Sequence, residues 1–184
     1  MSAFILALVG VLVASLGARD QVLVGRFSRA SGGTLDILAI AALASVIAAA
    51  AAGWASLLVA PMLNSKARLF LAAMALGFAA LEAWVLTSRS APREPTRSRG
   101  AFAIVLLALQ LSDAARFLVF GVALAAGHAV AAAVGGAAGG IIAVALAWAE
   151  PDRVASAGTR LRRGIGALML ALAVALGVFA QLPG

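Results

Sequence analysis

Gln110-Leu111-Ser112-Asp113-Ala114-Ala115-Arg116 decides how this chain folds. The stretch lies inside an apolar run from Ala101 to Ala126 that is long enough to cross a bilayer. Asp113 falls about twelve residues into that run, or roughly 18 Å along a helix rising ~1.5 Å per residue. In a hydrocarbon core about 30 Å thick, that is near mid-membrane. A charge at that depth costs ~2.5–3.5 kcal/mol on insertion scales, so it marks function or a buried partner. A partly similar stretch, Ser15-Leu16-Gly17-Ala18-Arg19-Asp20-Gln21, precedes it by 95 residues in a chain of 184. The chain reads as two related halves that meet at these polar stretches.

Composition excludes the soluble classes. Hydrophobic residues form 64% of the chain and the mean hydropathy is +1.09, which would leave a soluble domain with a mostly apolar surface. The expected class is an all-α integral membrane protein, since barrel strands would be ~10 residues long and strictly alternating. Fourteen Lys and Arg against seven Asp and Glu give a net charge of +7. The cations cluster between apolar runs, so they set membrane orientation and do not form a nucleic-acid surface. There is no Cys, which removes thiolate metal sites and disulfides. The first 18 residues lack a basic leading region and a small-residue cleavage site, which argues against a removed signal peptide. The Ala- and Arg-rich composition with a single Lys is that of a GC-rich bacterial gene, so a bacterial inner membrane is the expected location. No phosphate loop, nucleophile triad, His cluster or carboxylate pair occurs, and an enzyme is not expected.

Six transmembrane segments are predicted, all helical because only helices satisfy the backbone within a lipid-exposed span. They cover Ala3 to about Gly25, Ile37 to Leu63, Ala67 to Thr87, Ala101 to Ala126, Ala129 to Ala149 and Gly164 to Leu182. Ser31-Gly32-Gly33, Pro61 with Asn64-Ser65, Gly127-His128 and Glu150-Pro151-Asp152 punctuate them. Residues 1–88 form a first three-helix repeat, 89–100 a basic linker and 101–184 a second repeat. The loops after segments one, three and five hold ten Arg, against Lys66 and Arg68 in the loops after two and four. The odd loops are therefore expected to be cytoplasmic and both termini outside. Three helices per half makes the halves inverted, as in transporters with a midplane site.

Asp113 and Arg116 are three residues apart on one helix and can pair. If the halves cross, Arg19 meets Asp113 and Asp20 meets Arg116, giving a neutral four-charge cluster. The alternatives are that Arg19-Asp20 marks the end of a short first span and that Asp113–Arg116 is a packing pair. Glu82, near the end of segment three, is expected to snorkel to the interface, and His128 to be solvated. Trp84 and Trp148 read as interface anchors. Gly135-Gly136 and Gly139-Gly140 predict a face for close helix packing, with Ala48 to Ala52 as its counterpart.

At the two polar stretches the chain resembles the Gdt-type cation/proton exchangers, a family that includes the Golgi manganese transporter, within the lysine-exporter superfamily. That family carries Glu-x-Gly-Asp-(Lys/Arg)-(Thr/Ser), often followed by Gln, in each of two inverted three-helix halves. Gly17, Arg19 and Gln21 fit the first motif, with Ser15, Ala18 and Asp20 departing from it. Asp113 fits the second, where Gln110, Ser112, Ala114 and Ala115 depart. The resemblance implies a small secondary transporter with Mn²⁺ or Ca²⁺ as the transported ion and no resident cofactor. It implies Ser15, Asp20, Gln110 and Asp113 as oxygen donors, with Asp113 and Asp20 nearest the metal and Arg19 and Arg116 balancing charge. Hard divalent cations want several anionic oxygens, which the lost carboxylates no longer supply. The competing expectation is therefore a transport-inactive relative serving as an accessory subunit of a larger membrane complex. The partners expected are the bilayer and a homodimer or such a complex.

Overall fold

A computed structural model describes residues 2–85, 98–156 and 159–182. Among these the chain is all-helical, with no strand. Helices α1 (Ser2–Ser15), α2 (Arg19–Ala30), α3 (Leu35–Val59) and α4 (Ser65–Val85) make up the first half. The second holds α5 (Arg99–Leu111), α6 (Ala114–Ala126), α7 (Ala129–Ala149), the short α8 (Pro151–Ser156) and α9 (Thr159–Gln181). The spans Leu35–Met62, Ser65–Val85, Ala129–Ala149 and Arg160–Gln181 are long and apolar enough to cross a membrane. Two bent pairs, α1/α2 at 66° and α5/α6 at 48°, bring the number of candidate spans to six.

The turns follow the chemistry of their residues. Gly32 and Gly33 take positive φ after α2, and Gly127 ends α6 in the left-handed conformation. Pro61 lies in a 3₁₀ turn over Ala60–Met62, and Asn64 Oδ1 accepts the Ala67 N–H at 2.8 Å to start α4.

Several expectations are corrected. Segments one and four are each two helices joined at a bend, so neither polar stretch sits on one continuous helix. Arg19 opens α2 and does not close a short first span. Arg99 and Gly100 begin α5, and Pro151 and Asp152 begin α8, because Pro is tolerated in a first helical turn. Segment six starts at Thr159, which puts Arg160, Arg162 and Arg163 in a helix. The predicted linker arginines Arg89, Arg93 and Arg97 lie outside the described residues.

The interior is made of small residues. Gly135 and Gly139 of α7 face the backbone of Phe4 and Leu8 in α1, so the two helices run parallel in near-backbone contact. Gly136 packs on Val119 of α6 and Gly140 on Ser45 of α3. This is the expected close-packing face, now with its partners: α1, α3 and α6 all approach α7 where a Cβ would not fit. On the other side α4 and α9 pack as a hairpin, with Gly166 against Trp84 and the Ala80 carbonyl. Ala14 of α1, Ala79 and Ala80 of α4, Ala114 and Ala115 of α6 and Ile165 and Met169 of α9 share one buried cluster.

Candidate functional site

Both bends lie at a matching distance from the end of the bundle where α1 starts and α6 stops. Helix α1 runs 14 residues to its break and α6 runs 13 residues away from its own, or about 20 Å each at ~1.5 Å per residue. An arm of that length ends within a ~30 Å hydrocarbon thickness.

Breaking a helix at this depth frees backbone groups that must find partners. At the first break Gly17 takes φ 66° and Ala18 is extended. The Gly17 N–H donates to Gln21 Oε1 at 3.0 Å, while Gln21 Nε2 donates to the Ala143 carbonyl of α7 at 2.8 Å. Asp20 Oδ1 accepts the Gln21 N–H at 2.7 Å. At the second break Asp113 takes the N-cap position of α6, its backbone carbonyl accepting the Arg116 N–H at 2.9 Å. Ser112 Oγ donates back to the Ala108 carbonyl at 3.0 Å. The Ala114 N–H, first of α6, donates to Glu82 Oε2 at 3.1 Å. Carboxylates thus meet the N-terminal ends of two half-helices, where the helix dipole favours negative charge.

The side chains form two linked groups. In the first, Gln110 Nε2 donates to Asp20 Oδ2 at 3.3 Å and to Ser45 Oγ of α3 at 3.0 Å. Gln110 is fully buried and its Oε1 has no hydrogen-bond partner. Arg116, 5% exposed, interacts electrostatically with both Asp20 and Asp113. Its Nε and Nη1 are buried without a hydrogen-bond partner. In the second group, Arg162 Nη2 of α9 donates to Glu82 Oε2 at 3.2 Å and Oε1 at 3.3 Å. Arg19 Nη2 lies 3.7 Å from Glu82 Oε1. Asp113 interacts with Glu82, Arg162 and Arg116 and so joins the two groups.

Of the residues singled out in the sequence, Asp20, Gln110, Asp113 and Arg116 are buried together at the breaks. Ser15 ends α1 and is buried there, its carbonyl accepting the Ala18 N–H at 2.9 Å. Arg116 interacts with Asp113 and with Asp20, as expected, although Asp113 stands at the N-cap of α6 and not within it. Two placements differ. Arg19 pairs with Glu82 and not with Asp113, because the 66° bend turns the start of α2 toward the end of α4. Glu82 does not reach for the interface: it is 8% exposed and touches α2, α6 and α9.

Sequence reading missed Glu82 as a site residue, and Arg162 and Ser45 altogether. Glu82 was detectable by the rule that selected Asp113, an ionisable group inside an apolar span. Arg162 was hidden among loop arginines, yet it is 3% exposed. Nothing in the sequence distinguishes Ser45 from any other small residue of α3. No grouping of three or more His, Cys, Asp or Glu able to hold a metal ion occurs among the described residues. Among the described residues, the buried Asp20, Glu82 and Asp113 stand against the buried Arg116 and Arg162 and the partly exposed Arg19. Comparison with family models, with curated proteins and with solved structures finds no match.

Proposed function

We propose that this protein is a small secondary transporter of the inner membrane, built from inverted three-helix halves, which exchanges a cation against protons where the two broken helices meet. One observation carries the reading: two helix breaks at a matching distance from one end of the bundle bring Asp20, Gln110 and Asp113 into a single buried group. Broken helices with ionisable residues at their ends are a recurrent way to hold an ion at membrane depth, because half-helix termini supply both donors and carbonyl acceptors. With three arginines set near three carboxyl groups, a cation that enters is offset only where a protonated carboxyl group gives up its proton, so a cation entering against protons leaving is the consistent mode. Asp20, Asp113, the free Gln110 Oε1 and Ser45 are the oxygen donors, and Arg116 is a tethered counter-charge beside them.

The test is Mn²⁺ and Ca²⁺ flux in proteoliposomes under a pH gradient. Wild-type flux that depends on the gradient and falls at least tenfold in Asp113→Asn is expected. Flux unchanged in that variant removes Asp113 from the mechanism. A second reading, a transport-inactive subunit of a larger membrane complex, draws on the three arginines that neutralise the cluster and on the missing three-ligand group. Co-purification at fixed stoichiometry with a complex, together with absent flux, would establish it.

A further inference from the structure

We propose that Glu82 is the latch of a gate: held by Arg162, it closes the α4–α9 hairpin over both helix breaks through Arg19 and the Ala114 N–H. The inference deepens the transporter reading and rests on it for its purpose, though not for its geometry.

Glu82 is placed as a latch would be. Its carboxylate and the guanidinium of its holder belong to one body, since α4 and α9 pack along their lengths and Trp84 Nε1 donates to the Arg163 carbonyl at 2.9 Å. Its other contacts cross to the broken helices: Arg19 Nη2 at 3.7 Å in α2, the Ala114 N–H at 3.1 Å in α6 and Asp113 at the N-cap of α6. One side chain therefore touches both breaks and the hairpin that covers them. Removing it would separate the hairpin from both half-helix starts together.

The contacts are also built to exchange. A permanent buried bridge uses the bidentate fork of arginine and satisfies every donor. Arg162 instead uses Nη2 alone, leaving Nε and Nη1 buried without a partner, and Nε of Arg19 is likewise unpartnered. Under-satisfied buried charges are poor static glue, and they lose little when water reaches them. Beside the latch the contact is small-sided: Ala79 and Ala80 of α4 share a cluster with Ala14, Ala114 and Ala115, while Leu118, Ile165 and Met169 fill the rest of it and Phe78 packs on Phe117.

The chain has no cysteine, so Ser15→Cys gives one thiol, near-isosteric and buried at the first break. The reagent is a membrane-impermeant maleimide applied to the arginine-rich side of oriented vesicles. Glu82→Gln should raise the labelling rate at Ser15→Cys at least tenfold. Arg19→Gln, which keeps the Glu82–Arg162 pair and removes the cross-body partner, should raise it as well. The pair Glu82→Arg with Arg162→Glu keeps the hairpin's internal bridge but sets like charge against Arg19, so labelling should stay fast. A separate Ala147→Cys, buried in α7 near the arginine-rich end and away from α4 and α9, should remain unlabelled throughout. Unchanged labelling in Glu82→Gln overturns the proposal, and so does labelling of Ala147→Cys that rises in step, since that reports general loosening. Absent flux in the wild type with the labelling pattern intact removes transport and leaves the latch. Persistent flux with unchanged labelling removes the latch alone.

Discussion

Gln110 holds Asp20 with a neutral side chain. Its Nε2 group binds Asp20 and Ser45, a role a carboxylate cannot fill because it has no donor. Gln110→Glu would set a second carboxylate against Asp20 and give the pocket one more negative charge. Titration calorimetry is expected to show Mn²⁺ binding at least tenfold tighter in Gln110→Glu than in the wild type. Gln110→Leu, which strips Asp20 of a donor, should lower stability by about 1–3 kcal/mol and gain no affinity. Glycines give the matching structural contrast. An added methyl on Gly135 would meet the Phe4 backbone, so Gly135→Ala forces α1 from α7 and should cost ~1–3 kcal/mol. Gly164 of α9 has nothing within 4 Å, and Gly164→Ala should be neutral or stabilising by up to ~1 kcal/mol. Thermal unfolding in one detergent compares the two.

At the scale of elements, helix content was legible and helix continuity was not. Long apolar runs gave α3, α4, α7 and α9, because hydropathy alone identifies a span. The bends were hidden, since Leu111-Ser112-Asp113 contains no Gly or Pro and each residue is tolerated in a helix. The break there depends on a tertiary partner, Glu82, 32 residues away on α4, which accepts the first N–H of α6. Gly17 did offer a local signal at the first break, but the direction of the bend decides which charge Arg19 meets. The partner of Arg19 was therefore beyond reach of the sequence, while the gathering of Asp20, Gln110, Asp113 and Arg116 in one buried group was not.

For the whole molecule, charge distribution sets a prediction about orientation. The ends that carry Arg29 with Asp152 and Arg99 with Asp36 as ion pairs belong to one side of the bundle. Arg26, Arg29, Arg99, Arg153, Arg160 and Arg163 lie in helix ends next to the odd connections, and by the positive-inside rule that side should face the cytoplasm. Alkaline phosphatase fused at the C-terminus is expected to be active and a fluorescent-protein fusion there dark, with the reverse for fusions in the linker. The opposite side has its own ties: Lys66 Nζ donates to the Leu182 carbonyl, and Arg68 Nε to the Ala60 and Leu63 carbonyls. Between these ends Gly121 of α6 brings the α4 backbone close at Ala72. The α4–α9 hairpin is in this sense a lever fixed at its far end. Helix α4 is 21 residues, so its arm is about 30 Å and a swing of roughly 10° moves its tip some 5 Å, the width of a small hydrated ion's path. Release of Glu82 would let that arm tilt, and because hydrocarbon tails can take the place of its apolar neighbours, bilayer thickness would then bear on how far it goes.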